Sequence, residues 1–262
     1  MVTFFAIIYY MACFTIVGYI LAPLIITIIL SFNPASYLSL SFSGFSLQWY
    51  QTYVSSTSWV NATLLSIAIA SIVAGLATLL GTSVAFGIVR GRFVGKNIIS
   101  SLFLLPLVMP PVVLAIGVYN VFSGWHLLGT ICGLVLAHTV LALPFVILMV
   151  SASLYQFDRA LEEAAASLGA TELDTLCKVT LPIIRPGILS AALFAFIVSF
   201  DELIIALFIS NINTITLPQK IWAGLRFEIN PIIAAVSTLQ IAVIAVILAT
   251  AFIIRRKRRV NA

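Results

Sequence analysis

Two adjacent carboxylates, Asp201 and Glu202, interrupt an otherwise apolar segment of the sequence. If this segment crosses a bilayer as one helix, they lie roughly 12 Å from its outer end. Burying a carboxylate there costs at least about 2.5 kcal/mol, so such acids usually face a wet cavity or a basic partner. We expect at least one of them to line a translocation route. A structural pair between subunits is the alternative.

A second polar patch, Ser237 and Gln240, lies in the last apolar segment. These side chains are suited to lining a pathway, and equally to hydrogen bonding between helices. They are candidate pathway residues alongside the two carboxylates.

Residues typical of catalysis or metal binding lack the spacing that such sites need. No C-x-x-C pair occurs, and neither His126 nor His138 has an acidic or thiol partner at ligand spacing. Phosphate-binding loops, nucleophile elbows and H-E-x-x-H motifs are also missing from the sequence. We therefore predict no metal, no cofactor and no enzymatic activity for this chain, and structural roles for both histidines.

The composition identifies the surroundings of the protein. Hydrophobic residues make up 62% and charged residues 8% of the 262 residues, whereas soluble domains carry about 25% charged residues. Such a chain cannot cover a core with polar surface. The sequence therefore predicts an all-α membrane protein.

About 20 apolar residues suffice to cross a hydrocarbon layer of about 30 Å. Six segments meet this length within a single membrane domain of residues 1–262: 3–30, 60–89, 97–122, 131–150, 188–209 and 232–254. The first is too long for a cleaved signal and lacks a basic leader, so we expect it to be retained.

Basic residues are distributed unevenly between the predicted spans. Eleven Lys and Arg residues fall on one side, and only Lys220 and Arg226 on the other. The positive-inside rule then predicts that both termini are cytoplasmic. The basic tail after residue 254 is interpreted as an anchor on anionic lipid rather than a nucleic-acid-binding segment.

The predicted cytoplasmic segment 151–187 is long and holds five of the eight acidic residues. Residues 158–168 favour a helix, with acids in its early turns and Gly169 at its end. A second short helix is predicted from Thr171 to Pro182, with Asp174 completing a start that resembles a capping box. The pattern indicates two short helices that project from the membrane.

One string in this segment resembles a family motif. It consists of Glu163-Ala164-Ala165, three residues, Gly169, nine residues and then Val179-Thr180-Leu181-Pro182. This resembles the E-A-A-x3-G-x9-I-x-L-P loop of permease subunits in binding-protein-dependent ABC importers, with Val179 in place of Ile. The resemblance implies that the loop docks on an ATPase subunit. The implied coupling residues are Glu163, Ala164, Ala165, Gly169, Leu181 and Pro182.

Further strings are similar to the second permease of spermidine/putrescine importers. They are residues 31–33, 44–50, 199–202, 216–218 and 221–226. The resemblance implies a type I importer core over about residues 57–252 plus an added first helix, in a bacterial inner membrane. It also implies three kinds of partner: two ATPase subunits, a related first permease and a periplasmic substrate-binding protein. A polyamine is the expected substrate, with an opine, an amino-acid derivative or a phosphonate as alternatives.

Two other features bear on architecture. Pro106, Pro110 and Pro111 interrupt the helical hydrogen bonds of the third span, which favours an interior position for it. The outer loop 212–231 carries Lys220 and Trp222, and it suits either an interfacial helix or a docking surface for a binding protein.

The rival hypothesis is an ion-coupled secondary transporter with Asp201 and Glu202 as its ion site. Such proteins tend to contain internal repeats, and the sequence shows no convincing one. A membrane-embedded enzyme is less favoured still, because a nucleophile or metal constellation is missing. The sequence therefore favours a permease subunit that depends on an external ATPase.

Overall fold

The structure is a computed structural model that describes residues 2–35, 44–227 and 230–260, and these residues form helices and loops without a strand. The helices are α1 Val2–Ser31, α2 Gln48–Ser55, α3 Thr57–Arg90, α4 Lys96–Val108, α5 Pro111–Gly124, α6 Ile131–Tyr155, α7 Ala160–Ser167, α8 Glu172–Thr175, α9 Leu181–Phe200, α10 Ile204–Ile209, α11 Leu217–Phe227 and α12 Ile232–Val260. The predicted all-α class is confirmed.

Long apolar helices dominate the described chain. Five helical stretches are long and apolar enough to cross a membrane: 9–31, 57–90, 131–155, 172–200 and 232–250. The pair α4 and α5 passes the same test jointly and gives a sixth candidate span. The protein is thus a multi-pass membrane protein.

The predicted single span 97–122 is two helices. α4 and α5 are bent by 109° at a break between them. Met109 and Pro110 are both extended there, with ψ of 139° and 131°, because a residue that precedes a proline avoids the helical region. Pro111 then begins α5, where its missing N–H is not needed. α4 has no buried residue, whereas α5 buries Ala115 and Phe122, so the interior position of this span stays a prediction.

The chain forms two compact units, residues 1–61 with 220–244 and residues 62–219 with 245–262. In the second unit, α6 is the central helix and contributes many buried small residues, among them Ala137 and Ala142. A Cβ atom on Gly81 would lie 2.6 Å from Cγ1 of Val146. Close approach at small residues is the usual basis of helix packing in membranes, and it fixes α3 against α6.

The first unit joins α2 to the end of α1 through polar contacts. The hydroxyl groups of Ser31 and Tyr50 lie 2.7 Å apart, and Trp49 Nε1 donates to the carbonyl oxygen of Asn33 at 2.9 Å. Phe32 stacks on Phe45 with ring centroids 4.7 Å apart. Residues from the strings 31–33 and 44–50, which carried part of the family resemblance, are therefore in contact.

Lys220 of α11 is engaged within the first unit. Its ammonium contacts the Ser58 hydroxyl and lies 5.0 Å from the ring centroid of Trp59. Trp222 is 44% exposed. Trp222 is thus available to an interface or a docked protein, and both roles of the outer loop stay predictions.

Candidate coupling site and pathway residues

The segment that carries the E-A-A string forms the short helix α7. Asp158 Oδ1 accepts a hydrogen bond from the Ala160 N–H at 3.0 Å, so the helix begins at Ala160 rather than at Asp158. Glu162 and Glu163 occupy its first turn, where negative charge offsets the partial positive charge of the helix start. The sequence pattern thus produces the expected acidic helix start.

Gly169 ends this helix, as predicted, in a left-handed conformation with φ of +85°. The Gly169 N–H donates to the Ala166 carbonyl at 2.9 Å, and the Ala170 N–H donates to the Ala165 carbonyl at 3.1 Å. This arrangement satisfies carbonyl groups at the helix end, and it requires a residue that tolerates positive φ. The glycine of the motif therefore has a backbone role.

The motif residues of α7 are turned outwards. Glu163 and Ala164 are exposed and Ala165 is half-buried, and α7 contains no buried residue. Small side chains around an exposed acid leave a surface that another protein can approach closely. Leu181 is half-buried and Pro182 is exposed at the start of α9.

The second predicted helix does not end at Pro182. Thr171 caps α8 by accepting from the Asp174 N–H at 3.2 Å, and Lys178 contacts the Asp174 carboxylate. The chain then continues through a π-helical turn, Leu176–Thr180, directly into α9. The wider π turn precedes Pro182 and makes room for a ring that would clash with the carbonyl group four residues earlier. The prediction that this helix ends at Pro182 was therefore wrong.

A charge cluster that the sequence did not predict holds α7 to neighbouring elements. Arg90 Nη2 lies 2.9 Å from Glu162 Oε1, and the Thr180 hydroxyl donates to the same oxygen at 2.7 Å. The Arg90 guanidinium also lies 5.5 Å from the ring centroid of Phe157. The sequence singles out Arg90 as the first charged residue of the chain, but it does not indicate the partner of Arg90.

Arg90, Glu162 and Thr180 line a cavity of about 500 Å³ on the second unit. Glu163, Ala166 and Glu172 also contribute to it. The cavity thus combines the ion pair with the exposed face of the E-A-A helix, and it offers both carboxylates and small apolar groups to a partner.

The two candidate pathway acids do not share a helix, contrary to the prediction. α9 ends at Phe200, Asp201 caps it, and α10 begins only at Ile204. Glu202 accepts hydrogen bonds from the N–H groups of Ile205 and Ala206, each at 3.1 Å. The carboxylate replaces the missing hydrogen bonds at the start of α10, and this compensates the break. Asp201 is exposed and Glu202 is half-buried.

His138 of α6 lies beside this break. Its Nδ1 is 2.9 Å from the Ser199 hydroxyl, and its Nε2 is 3.8 Å from Glu202 Oε2. The His138 side chain is only 1% exposed. His138 therefore lies beside one of the candidate pathway acids, and its structural role stays a prediction. Within the described residues no group of three potential ligands is placed to hold a metal.

Ser237 and Gln240 lie on α12 in the first unit and are half-buried. The two carboxylates belong to the second unit. A pathway role for this polar patch stays a prediction.

Comparison with known proteins identifies relatives over most of the chain. A family model described as "Binding-protein-dependent transport system inner membrane component" matches residues 77–259. The putrescine transport system permease protein PotI of Escherichia coli is 34% identical over 236 residues, covering 87% of this chain and 84% of that protein. The spermidine/putrescine permease PotC of Haemophilus influenzae is 31% identical and covers 93% and 95% of the two chains.

A solved structure has the same fold. It is a chain of a bacterial ABC transporter involved in import of the acidic polysaccharide alginate, with a TM-score of 0.73 and 14% identity. The match covers 95% of each chain. The importer-permease fold implied by the E-A-A string is confirmed.

Proposed function

The chain belongs to the family of binding-protein-dependent transport system inner membrane components, and we propose that it forms half of the membrane pathway of an ATP-driven polyamine importer. Support for the substrate comes from relatives whose names specify putrescine or spermidine and that match most of the chain. The observation that carries the coupling role is the exposed helix α7, which presents Glu163 and Ala164 and is ended by Gly169.

The chain works with other subunits in this proposal. A separate pair of ATPase subunits hydrolyses ATP and binds α7, a related permease supplies the other half of the pathway, and a periplasmic protein delivers the solute. ATP binding moves the ATPases together, α7 follows, and the membrane cavity changes from inward-facing to outward-facing. The absence of nucleotide-binding and catalytic motifs from the sequence supports this division of labour.

Reconstitution of the complete complex in lipid vesicles tests this function. We expect spermidine or putrescine, presented by the binding protein, to stimulate ATP hydrolysis and to accumulate in the vesicles. Stimulation by an opine, an amino-acid derivative or a phosphonate instead would overturn the substrate and retain the importer. ATP-independent uptake driven by an ion gradient would support a secondary transporter.

The orientation of the chain is part of the proposal. Eleven basic residues on one side of the spans against two on the other support cytoplasmic termini and a cytoplasmic α7. The docking of α7 on a cytoplasmic ATPase requires the same orientation.

Cysteine labelling on intact cells measures this orientation. With the native cysteines replaced, an impermeant thiol reagent should label a Ser56→Cys variant and leave Ser167→Cys unlabelled until the membrane is opened. Ser167 is exposed and Ser56 is half-buried in the structure, so denatured samples serve as the control for reactivity. Labelling of Ser167→Cys alone on intact cells would show that the chain has the opposite orientation.

A further inference from the structure

Glu162 and Glu163 are adjacent in α7 but have different surroundings. Glu163 is exposed, whereas the Glu162 side chain is 27% exposed and faces Arg90, whose side chain is 20% exposed. Thr180, the other partner of Glu162, is 1% exposed. Glu162, which directly precedes the E-A-A string, is therefore directed into the protein.

One oxygen atom of Glu162 connects three elements of the second unit. Arg90 is in the last turn of α3, Thr180 ends the π turn that leads into α9, and Glu162 itself belongs to α7. Arg90 reaches a fourth element by lying over the Phe157 ring, just after α6. The contact is therefore placed where several membrane helices approach the docking helix.

Apolar packing contributes little to holding α7 in position, because none of its residues is buried and Ala165 is its one half-buried apolar residue. A charge-assisted hydrogen bond is roughly twice as strong as a neutral one, and partial burial reduces its screening. The link through Glu162 is thus the strongest lateral attachment that the structure shows for this helix.

Building on the proposed coupling function, we propose that Glu162 is the positioning residue that transmits movement of α7 to α3 and α9, while Glu163 faces the ATPase. The π turn supports this assignment, since such turns are local departures from regular helix that often mark functional positions. Through Arg90 and Thr180, a displacement of α7 pulls on the ends of two membrane helices together.

The first measurement is transport by the reconstituted complex. Glu162→Ala removes both contacts, and we expect the ratio of solute imported to ATP hydrolysed to fall about tenfold, as loss of a hydrogen bond to a charged group implies. Glu162→Gln keeps an acceptor for Thr180, so the ratio should fall less in this variant. The ATPase subunits should co-purify as with the wild type, because the Glu163 surface is unchanged. An unchanged ratio, or loss of the ATPase from the complex, would overturn the proposal.

The paired exchange Arg90→Glu with Glu162→Arg rebuilds the ion pair in reverse. The Thr180 hydroxyl both donates and accepts, so it can bond either side chain. We expect the exchange to recover most of the coupling that each single change loses. Lys178→Ala breaks the exposed ion pair with Asp174, which lies outside this cavity. It is the matched control and should retain the wild-type ratio.

A distance measurement separates this proposal from the proposed function. Spin labels at Ser83 on α3 and Ser167 on α7, both exposed, report the position of the docking helix in the purified complex without transport. With the native cysteines replaced, Glu162→Ala should broaden the distance distribution and Lys178→Ala should not. A distribution unaltered by Glu162→Ala would overturn the link even where transport is normal. A wild-type complex that imports nothing would overturn the function alone.

Discussion

A Gly169→Val variant should lose nearly all ATP-dependent uptake while still inserting in the membrane. Gly169 has φ of +85°, and a built Cβ atom meets nothing within 4 Å, so backbone strain rather than crowding determines the effect. A left-handed conformation costs an ordinary residue about 1–2 kcal/mol, and a β-branched residue more. Because α7 has eight residues and none is buried, relief of this strain should unwind its last turn.

Two matched variants isolate the docking helix. Asn tolerates positive φ, so Gly169→Asn should retain most uptake. Gly95 has φ of +83° and equally open space around its Cβ position, but it precedes α4 outside the docking segment. Gly95→Val therefore introduces similar strain, and we expect it to affect uptake much less. Comparable uptake by Gly169→Val and Gly169→Asn, measured at equal amounts of complex, would contradict the coupling role.

The local features of the docking segment could be predicted from the sequence. Acids at a helix start and a glycine at its end act through neighbouring backbone groups, so residue type and spacing are sufficient. The link between Arg90 and Glu162 joins residues that are 72 positions apart. Such a pairing depends on how α3 and α9 pack beside α7, and no local pattern encodes it.

In the apolar spans too, the sequence predicts some features and misses others. Hydropathy identified the apolar segments, because the roughly 20 residues that cross the hydrocarbon layer must be mostly apolar. It did not locate the bend between α4 and α5, or the break between α9 and α10. The first follows from two consecutive prolines after Met109. The second depends on the Glu202 carboxylate, which stabilises a helix start inside an apolar segment, and hydropathy counts this residue only as a charge.

This break assigns different roles to the two acids. Both Glu202 oxygens accept backbone N–H groups of α10, and His138 lies beside one of them. Asp201 instead caps α9 and is exposed. We therefore propose that Asp201 is the carboxylate that meets a cationic solute, and that Glu202 maintains the break that presents it.

The corresponding prediction concerns uptake of labelled spermidine or putrescine by the whole system. Asp201→Asn keeps the size and polarity of the side chain but removes the charge that offsets desolvation of an amine. We expect the apparent KM to rise about tenfold, since an opposite charge at close range contributes at least that factor in a partly dry site. The thermal stability of the purified complex and its basal ATP hydrolysis should stay near those of the wild type.

Glu202→Ala should give the opposite pattern, because it removes two hydrogen bonds to buried N–H groups instead of a pathway charge. We expect a lower Tm and a smaller yield of assembled complex, because the free energy of unfolding falls by about 1–3 kcal/mol. Glu202→Gln retains one acceptor oxygen, so its Tm should lie between those of Glu202→Ala and the wild type. Uptake per assembled complex then falls less than in Asp201→Asn. A lower Tm for Asp201→Asn with an unchanged KM would assign Asp201 to structure. If both charge-removing variants import polyamines with the wild-type KM, neither acid contacts the solute, and the cation must be recognised by residues outside this break.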